Sequence, residues 1–267
     1  MSAKKMFDVL YLVELLTPRR DGGEKIPLFL ERFQQRYEQA LSLGCGISVP
    51  DNPMGRTRIG LPECISQLGL TVDPGKIVMN LNTFHSKTEL DTLLDSAAEL
   101  GINRLLVVRG DGGPELEKLN PQSIGGKHNI VTTPELVAYI NREYEGQFIT
   151  GVAFNPYKKN DFELAHLQRK IEAGAKFVIT QPIFDRHEQV DAILDYGVPV
   201  VVEAWMSENV ALFYKSVGIK QEQSDHSHDP RLVLQKLHQA YPGSCVYLAM
   251  LNFTTDWSVQ LPHILSK

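Results

Sequence analysis

Eight short apolar runs, separated by amphipathic stretches, restrict this sequence more than any other feature in it. They are DVLYLVEL from Asp8, CGISV from Cys45, IVMNL from Ile77, LLVV from Leu105, FITGVAF from Phe148, FVITQ from Phe177, VPVVVEA from Val198 and CVYLAML from Cys245. Most are almost continuously apolar rather than strictly alternating, the pattern of strands covered on both faces by helices in a parallel sheet. The intervening stretches carry helical spacing. Leu30, Phe33, Tyr37 and Leu41 share one face, as do Leu90, Leu93, Leu94, Ala97 and Ala98. Ser86 and Glu89 have capping-box spacing, and Gly101 and Gly174 read as helix stops. Thr133-Pro134-Glu135 reads as an N-cap followed by proline at the first helical position. Ala211 to Val217 suits a helix after the seventh strand, Leu232 to Leu237 one before the eighth, and Val259 to Leu265 a last one. Eight strand–helix units predict an α/β fold, the (β/α)8 barrel, as a single domain over residues 1–267. A doubly wound sheet is the alternative, but no GxGxxG follows the first strand.

Composition narrows the function. A net charge of −5 on 267 residues offers no basic excess for nucleic acid and no polybasic cluster for a membrane surface. No apolar run is long enough to span a bilayer. Asp8 and Glu14 interrupt the apolar N-terminal stretch, which argues against a signal peptide. Cys45, Cys64 and Cys245 are odd in number and lack CxxC spacing, as expected of a cytoplasmic chain. The polar segment Gln221–Pro230 reads as a solvated loop, with His226 and His228 as a weaker metal alternative.

Chemistry in such a barrel collects at the C-terminal ends of the strands. The polar residues there are Glu14; Asp51 and Asn52; Asn82 and His85; Arg109 and Asp111; Asn155 and Tyr157; Gln181 and Asp185; Glu203; and Asn252. Leu105 to Gly113, LLVVRGDGG, runs from a buried strand straight into an arginine and an aspartate. An adhesive Arg-Gly-Asp loop would need a secreted protein, so a site at a strand end is the better reading. Glu14 and Asp111 come from different strands, which lets their environments set different protonation states. No GxSxG, HExxH or P-loop is present, and no metal site is expected.

Three motifs, in order, resemble the methylenetetrahydrofolate reductases, flavoproteins of (β/α)8 fold. They are Val13 to Arg19 (VELLTPR), Leu106 to Asp111 (LVVRGD) and Leu167 to Asp185 (LQRKIEAGAKFVITQPIFD); Leu251-Asn252 is a weaker echo. The resemblance implies reduction of a methylenetetrahydrofolate by NADH or NADPH through bound FAD. It makes Glu14 the general acid that protonates the substrate nitrogen as the methylene bridge opens. Asp111 becomes the electrostatic stabiliser beside flavin and pterin, and Gln181 and Asn252 substrate contacts. His85, Arg109, Asn52, Phe154, Asn155 and Tyr157 become cofactor contacts. The expected partner is a small-molecule folate, with neither nucleic acid nor membrane, and a homo-oligomer stays open.

The loops after strands two, three and five depart from the family pattern. The fifth carries Ala153-Phe154-Asn155-Pro156-Tyr157-Lys158-Lys159 where the family has Tyr-Pro-Glu and His-Pro. Asp51-Asn52-Pro53-Met54-Gly55-Arg56 and Asn82-Thr83-Phe84-His85 also differ. Lys158, Lys159, Arg56 and Arg58 are candidates for a phosphate or a folate glutamate tail, or solvated surface charges. Two alternatives to the flavin relay follow: direct hydride transfer from nicotinamide to folate, and a pterin-binding methyl-transfer or carrier barrel without redox chemistry.

Overall fold

The apolar runs pair side by side and in order. A computed structural model describes residues 6–220 and 228–261. Its strands are β1 (Tyr11–Glu14), β2 (Gly46–Val49), β3 (Ile77–Leu81), β4 (Arg104–Val107), β5 (Ile149–Phe154), β6 (Phe177–Pro182), β7 (Val200–Trp205) and β8 (Val246–Ala249). All pair in parallel with their sequence neighbours, and β1 pairs with β8, so the sheet is a closed barrel. The helices are α1 (Ile26–Ser42), α2 (Leu61–Leu68), α3 (Lys87–Glu99), α4 (Thr133–Glu143), α5 (Asn160–Glu172), α6 (Glu188–Ile193), α7 (Val210–Val217), α8 (Pro230–Ala240) and α9 (Trp257–Gln260). The (β/α)8 expectation holds.

Successive residues of a strand face opposite sides of the sheet. Val13, Ile47, Met79, Val107, Val152, Val202 and Leu248 face outward and pack with helix residues such as Phe33, Leu94, Leu136 and Leu237 in one apolar shell. Leu12, Val78, Leu106, Phe177, Ile179 and Val201 form a second cluster that fills the barrel interior. Burial on both faces is why the strands read as continuous apolar runs.

The helix ends follow their local chemistry. Ser86 and Glu89 close the expected capping box on α3. For α4 the cap lies one residue earlier than expected: Thr132, not Thr133, caps the helix, and Glu135 completes its box. Glu135 sits at the third helical position only when Thr132 is the cap, and that reciprocal pair of bonds decides the start. Two further short helices, α2 and α6, lie in stretches where no helix is expected above. The expected last helix begins at Trp257 and is described only to Gln260; residues beyond 261, like His226, lie outside the described residues.

Candidate active site in the barrel mouth

Strand alternation decides which side chains reach the interior. Val13 and Leu15 belong to the outer shell, which turns Glu14 inward with Leu12. Val202 and Ala204 are outer-shell residues, which turns Glu203 inward with Val201 and Trp205. On β8, Tyr247 belongs to the inner set. These three come from adjacent strands around the closure of the barrel, and Glu203 and Tyr247 are register partners.

They form one polar layer. The Tyr247 hydroxyl donates to Glu14 Oε2 at 3.1 Å. Ser48, the register partner of Glu14 on β2, interacts with Tyr247 and donates to Asn80 Oδ1 on β3 at 3.0 Å. Burial raises the Glu14 carboxyl above the ordinary glutamate range; the Tyr247 bond and the charge of Arg58 pull back without cancelling it. Burial raises Glu203 well above that range, and the charge of Glu14 adds to the effect. Both side chains are only half-buried, so a ligand entering the mouth can reach them. Arg58 donates to the Thr17 carbonyl and is held beside the end of β1.

Gln181 is half-buried where the β6–β7 register shifts between Ile179 and Pro182. Thr180 Oγ1 accepts from the Glu203 backbone N–H at 3.0 Å, which ties the bulge to the neighbouring strand. The Gln181 amide has no hydrogen-bond partner among the described residues.

Asp111 lies elsewhere in the mouth. It is exposed, and its Oδ2 accepts from the Met54 backbone N–H at 2.7 Å. The turn Pro53–Gly55, with Asn52 at φ 45° and Met54 at φ 59°, therefore docks on the loop after β4. The two backbones touch: a methyl group at Gly55 or at Gly113 would overlap the other loop. Arg109 has an exposed guanidinium free of protein partners among the described residues, while its carbonyl accepts from Thr83 Oγ1 at 2.8 Å.

The other expected cofactor contacts are engaged within the protein. His85 Nε2 lies 2.7 Å from Asp51 Oδ2, with both side chains largely buried. Burial alone would lower the imidazole, but the Asp51 bond and charge, with Glu89, raise it above the ordinary histidine value. Asn52 accepts from the Arg58 backbone N–H at 2.8 Å. Phe154 is fully buried in the outer shell. Asn155 Oδ1 accepts from the Tyr157 N–H at 3.0 Å, and the Tyr157 hydroxyl donates to the Pro182 carbonyl at 2.8 Å. Asn252, expected to meet substrate, anchors a turn by accepting from the N–H and hydroxyl of Thr254 at 2.9 and 2.8 Å.

A cleft of about 530 Å³ opens beside this mouth, lined in part by Thr17, Asp51, Asn52, Arg58, Asn80 and His85. Glu14, Gln181 and Glu203 are not among its lining residues. Lys158 lies 3.9 Å from Glu163, and His228 packs its Nε2 against the Trp205 carbonyl at 3.1 Å. No group of three or more His, Cys, Asp or Glu side chains gathers as a metal site among the described residues.

Residues 3–197 match the family model described as methylenetetrahydrofolate reductase. The chain belongs to the methylenetetrahydrofolate reductase family. The matched span includes Glu14, Asp111 and Gln181 and ends before β7 and β8. Similar proteins include methylenetetrahydrofolate reductase 1 of Schizosaccharomyces pombe, 30% identical over 113 residues covering 40% of this chain and 18% of that protein. Another is methylenetetrahydrofolate reductase 2 of Saccharomyces cerevisiae, 31% identical over 103 residues, covering 36% of this chain and 16% of that protein. The matched stretch thus spans less than a fifth of these longer relatives. Among the described residues of this family member, no helix is long and apolar enough to cross a membrane.

Sequence reasoning missed Tyr247, Ser48 and Asn80. All three sit inside apolar runs and read as packing. The available signal was parity: each lies on the inward face that Glu14 shares once the strands are in register.

Proposed function

We propose that this chain reduces 5,10-methylenetetrahydrofolate to 5-methyltetrahydrofolate with NADH or NADPH, in one catalytic barrel. The observation that carries this reading is Glu14: an inward carboxyl, raised by burial, with a tyrosine donor on one oxygen. Such a group is protonated at a pH where an exposed glutamate is not, which is what a general acid needs. Glu14 gives its proton to the bridging nitrogen of the substrate, the methylene bridge opens to an iminium, and hydride adds to its carbon. The carboxylate left on Glu14 keeps the Tyr247 hydrogen bond, which limits the cost of that charge. The Gln181 amide and the Arg109 guanidinium, both without a protein partner among the described residues, are available to the pterin and to an anionic portion of either ligand respectively.

Most of the residues that the family resemblance offers to a flavin are already engaged within the protein, although Asn52 and His85 also line the cleft beside the mouth. His85, Asn52, Asn155 and Tyr157 hold one another or neighbouring backbone, Phe154 is fully buried, and the turn Pro53–Gly55 lies on Gly112 and Gly113. No step is therefore assigned to FAD. The reading this favours is direct hydride transfer from the nicotinamide to the folate.

The test is NAD(P)H oxidation by the purified protein with methylenetetrahydrofolate, beside its visible absorption spectrum before and after adding FAD. Turnover by a colourless protein that takes up no FAD supports direct transfer. A flavin band that bleaches with NADH and recovers with the folate restores the relay. No NAD(P)H consumption overturns the reductase reading in favour of a pterin-binding barrel without redox chemistry.

A further inference from the structure

The mouth holds a second carboxyl that the family motifs do not use. Glu203 lies on β7, beyond the span matched by the family. It faces inward, in register with Tyr247, whose hydroxyl is already committed to Glu14. One strand, β8, separates the two glutamates. The groups that act on Glu203 from the surrounding elements are Glu14 from β1, Tyr247 from β8 and Tyr157 from the loop after β5. All are acids, and none is a cation. Arg58 acts on Glu14 and is tied to the Thr17 carbonyl. Among the described residues the Glu203 carboxyl has no hydrogen bond and no ion pair, although its backbone is fixed on both sides: its N–H donates to Thr180 and its carbonyl accepts from Ile183.

A carboxyl held this way has two options. Ionised, it would be a half-buried negative charge with no partner among the described residues, and a second one whenever Glu14 has given up its proton, a costly arrangement. Neutral, it is a hydrogen-bond donor with no acceptor among the described residues. We propose that Glu203 is a substrate-binding residue, a neutral carboxylic acid that donates a hydrogen bond to an acceptor atom on the heterocycle of the bound substrate. Burial and the Glu14 charge both push Glu203 the same way, in support. Glu14 and Glu203 then titrate as a pair, with the proton on Glu203 kept through the pH range where Glu14 cycles. Glu203 contributes orientation and ring discrimination, while Glu14 does the proton transfer.

The inference rests on the folate reading, and the experiment separates the two. Binding of 5-methyltetrahydrofolate is measured by titration calorimetry at pH 7 for the wild type, Glu203→Gln and Glu203→Ala. Infrared difference spectra of the same proteins without ligand follow the carboxyl carbonyl band. Glutamine keeps a neutral donor, so Glu203→Gln is expected to bind within a few-fold of the wild type. Glu203→Ala removes the donor and is expected to bind about 10- to 100-fold more weakly. The wild-type spectrum should show a protonated carboxyl at pH 7 that persists in Glu14→Gln and vanishes in Glu203→Gln. Equal affinity in the two Glu203 variants, or an ionised Glu203 at pH 7, overturns the assignment. A wild type that binds no folate while showing the protonated band overturns the folate reading and with it the stated ligand of Glu203.

Discussion

The Tyr247 hydroxyl donates a 3.1 Å hydrogen bond to the Glu14 carboxyl, joining the last strand of the barrel to the first across 233 residues of sequence. The bond lowers Glu14 while burial raises it, and burial wins. The tyrosine thus sets how far the acid is raised.

Glu14→Gln removes the proton but keeps the shape and the tyrosine contact. Ligand binding is expected to survive and NAD(P)H-dependent reduction to fall by roughly 10²–10⁴, the usual contribution of a positioned general acid. Single-turnover rates beside equilibrium binding check this; near-normal reduction would remove Glu14 from its role.

Tyr247→Phe should move a pH profile rather than abolish activity. In the proposed role Glu14 acts while protonated, so kcat/KM is expected to fall as pH rises through its titration. The hydroxyl stabilises the ionised form, so its loss raises Glu14 further and shifts the descending limb to higher pH. A limb that stays put or moves down would show that the hydroxyl does not tune the acid.

His85 and Asp51 contribute stability in a defined pH window. The folded imidazole lies above its ordinary value of about 6.5. The contribution is therefore complete below that value and is lost as pH rises through the folded value. His85→Gln is expected to cost about 1.5–3 kcal/mol at pH 6, by loss of a charged hydrogen bond. Urea melts across pH should show the gap between variant and wild type closing on the alkaline side.

Gly113→Ala tests the seam between the loops after β2 and β4. The added methyl meets the Gly55 backbone, which cannot swing aside as a flexible side chain would. A loss of about 1–3 kcal/mol is expected, as for other overpacked contacts. Hydrogen exchange should locate the loosening at Asn52 to Gly55, where the Met54 N–H bond to Asp111 is the reporter.

The eight strands were legible because burial on both faces writes each as an apolar run, and the turns between them carry glycine and proline. Glu14 and Glu203 were legible as charges at the ends of such runs. Tyr247 was not, since an aromatic inside CVYLAML reads as core and its hydroxyl finds a use only once the barrel closes. The docking of Met54 on Asp111 was hidden for a different reason: it depends on left-handed backbone at Asn52, which tolerates that conformation, and at Met54, which carries no local signal for it. Phe154 follows strand parity, which turns it toward the helices, whereas a motif-based reading of its loop turned it toward a cofactor.

Because the donor to Glu14 comes from β8, the acid's surroundings are the last part of the barrel that synthesis can supply. A nascent chain with seven strands outside the ribosome already carries Glu14, Asp111, Gln181 and Glu203. It lacks the Tyr247 hydroxyl that donates to the first carboxyl and the strand that closes that side of the interior. The hydrogen bond to Glu14 and the closure of the ring therefore arrive in one event.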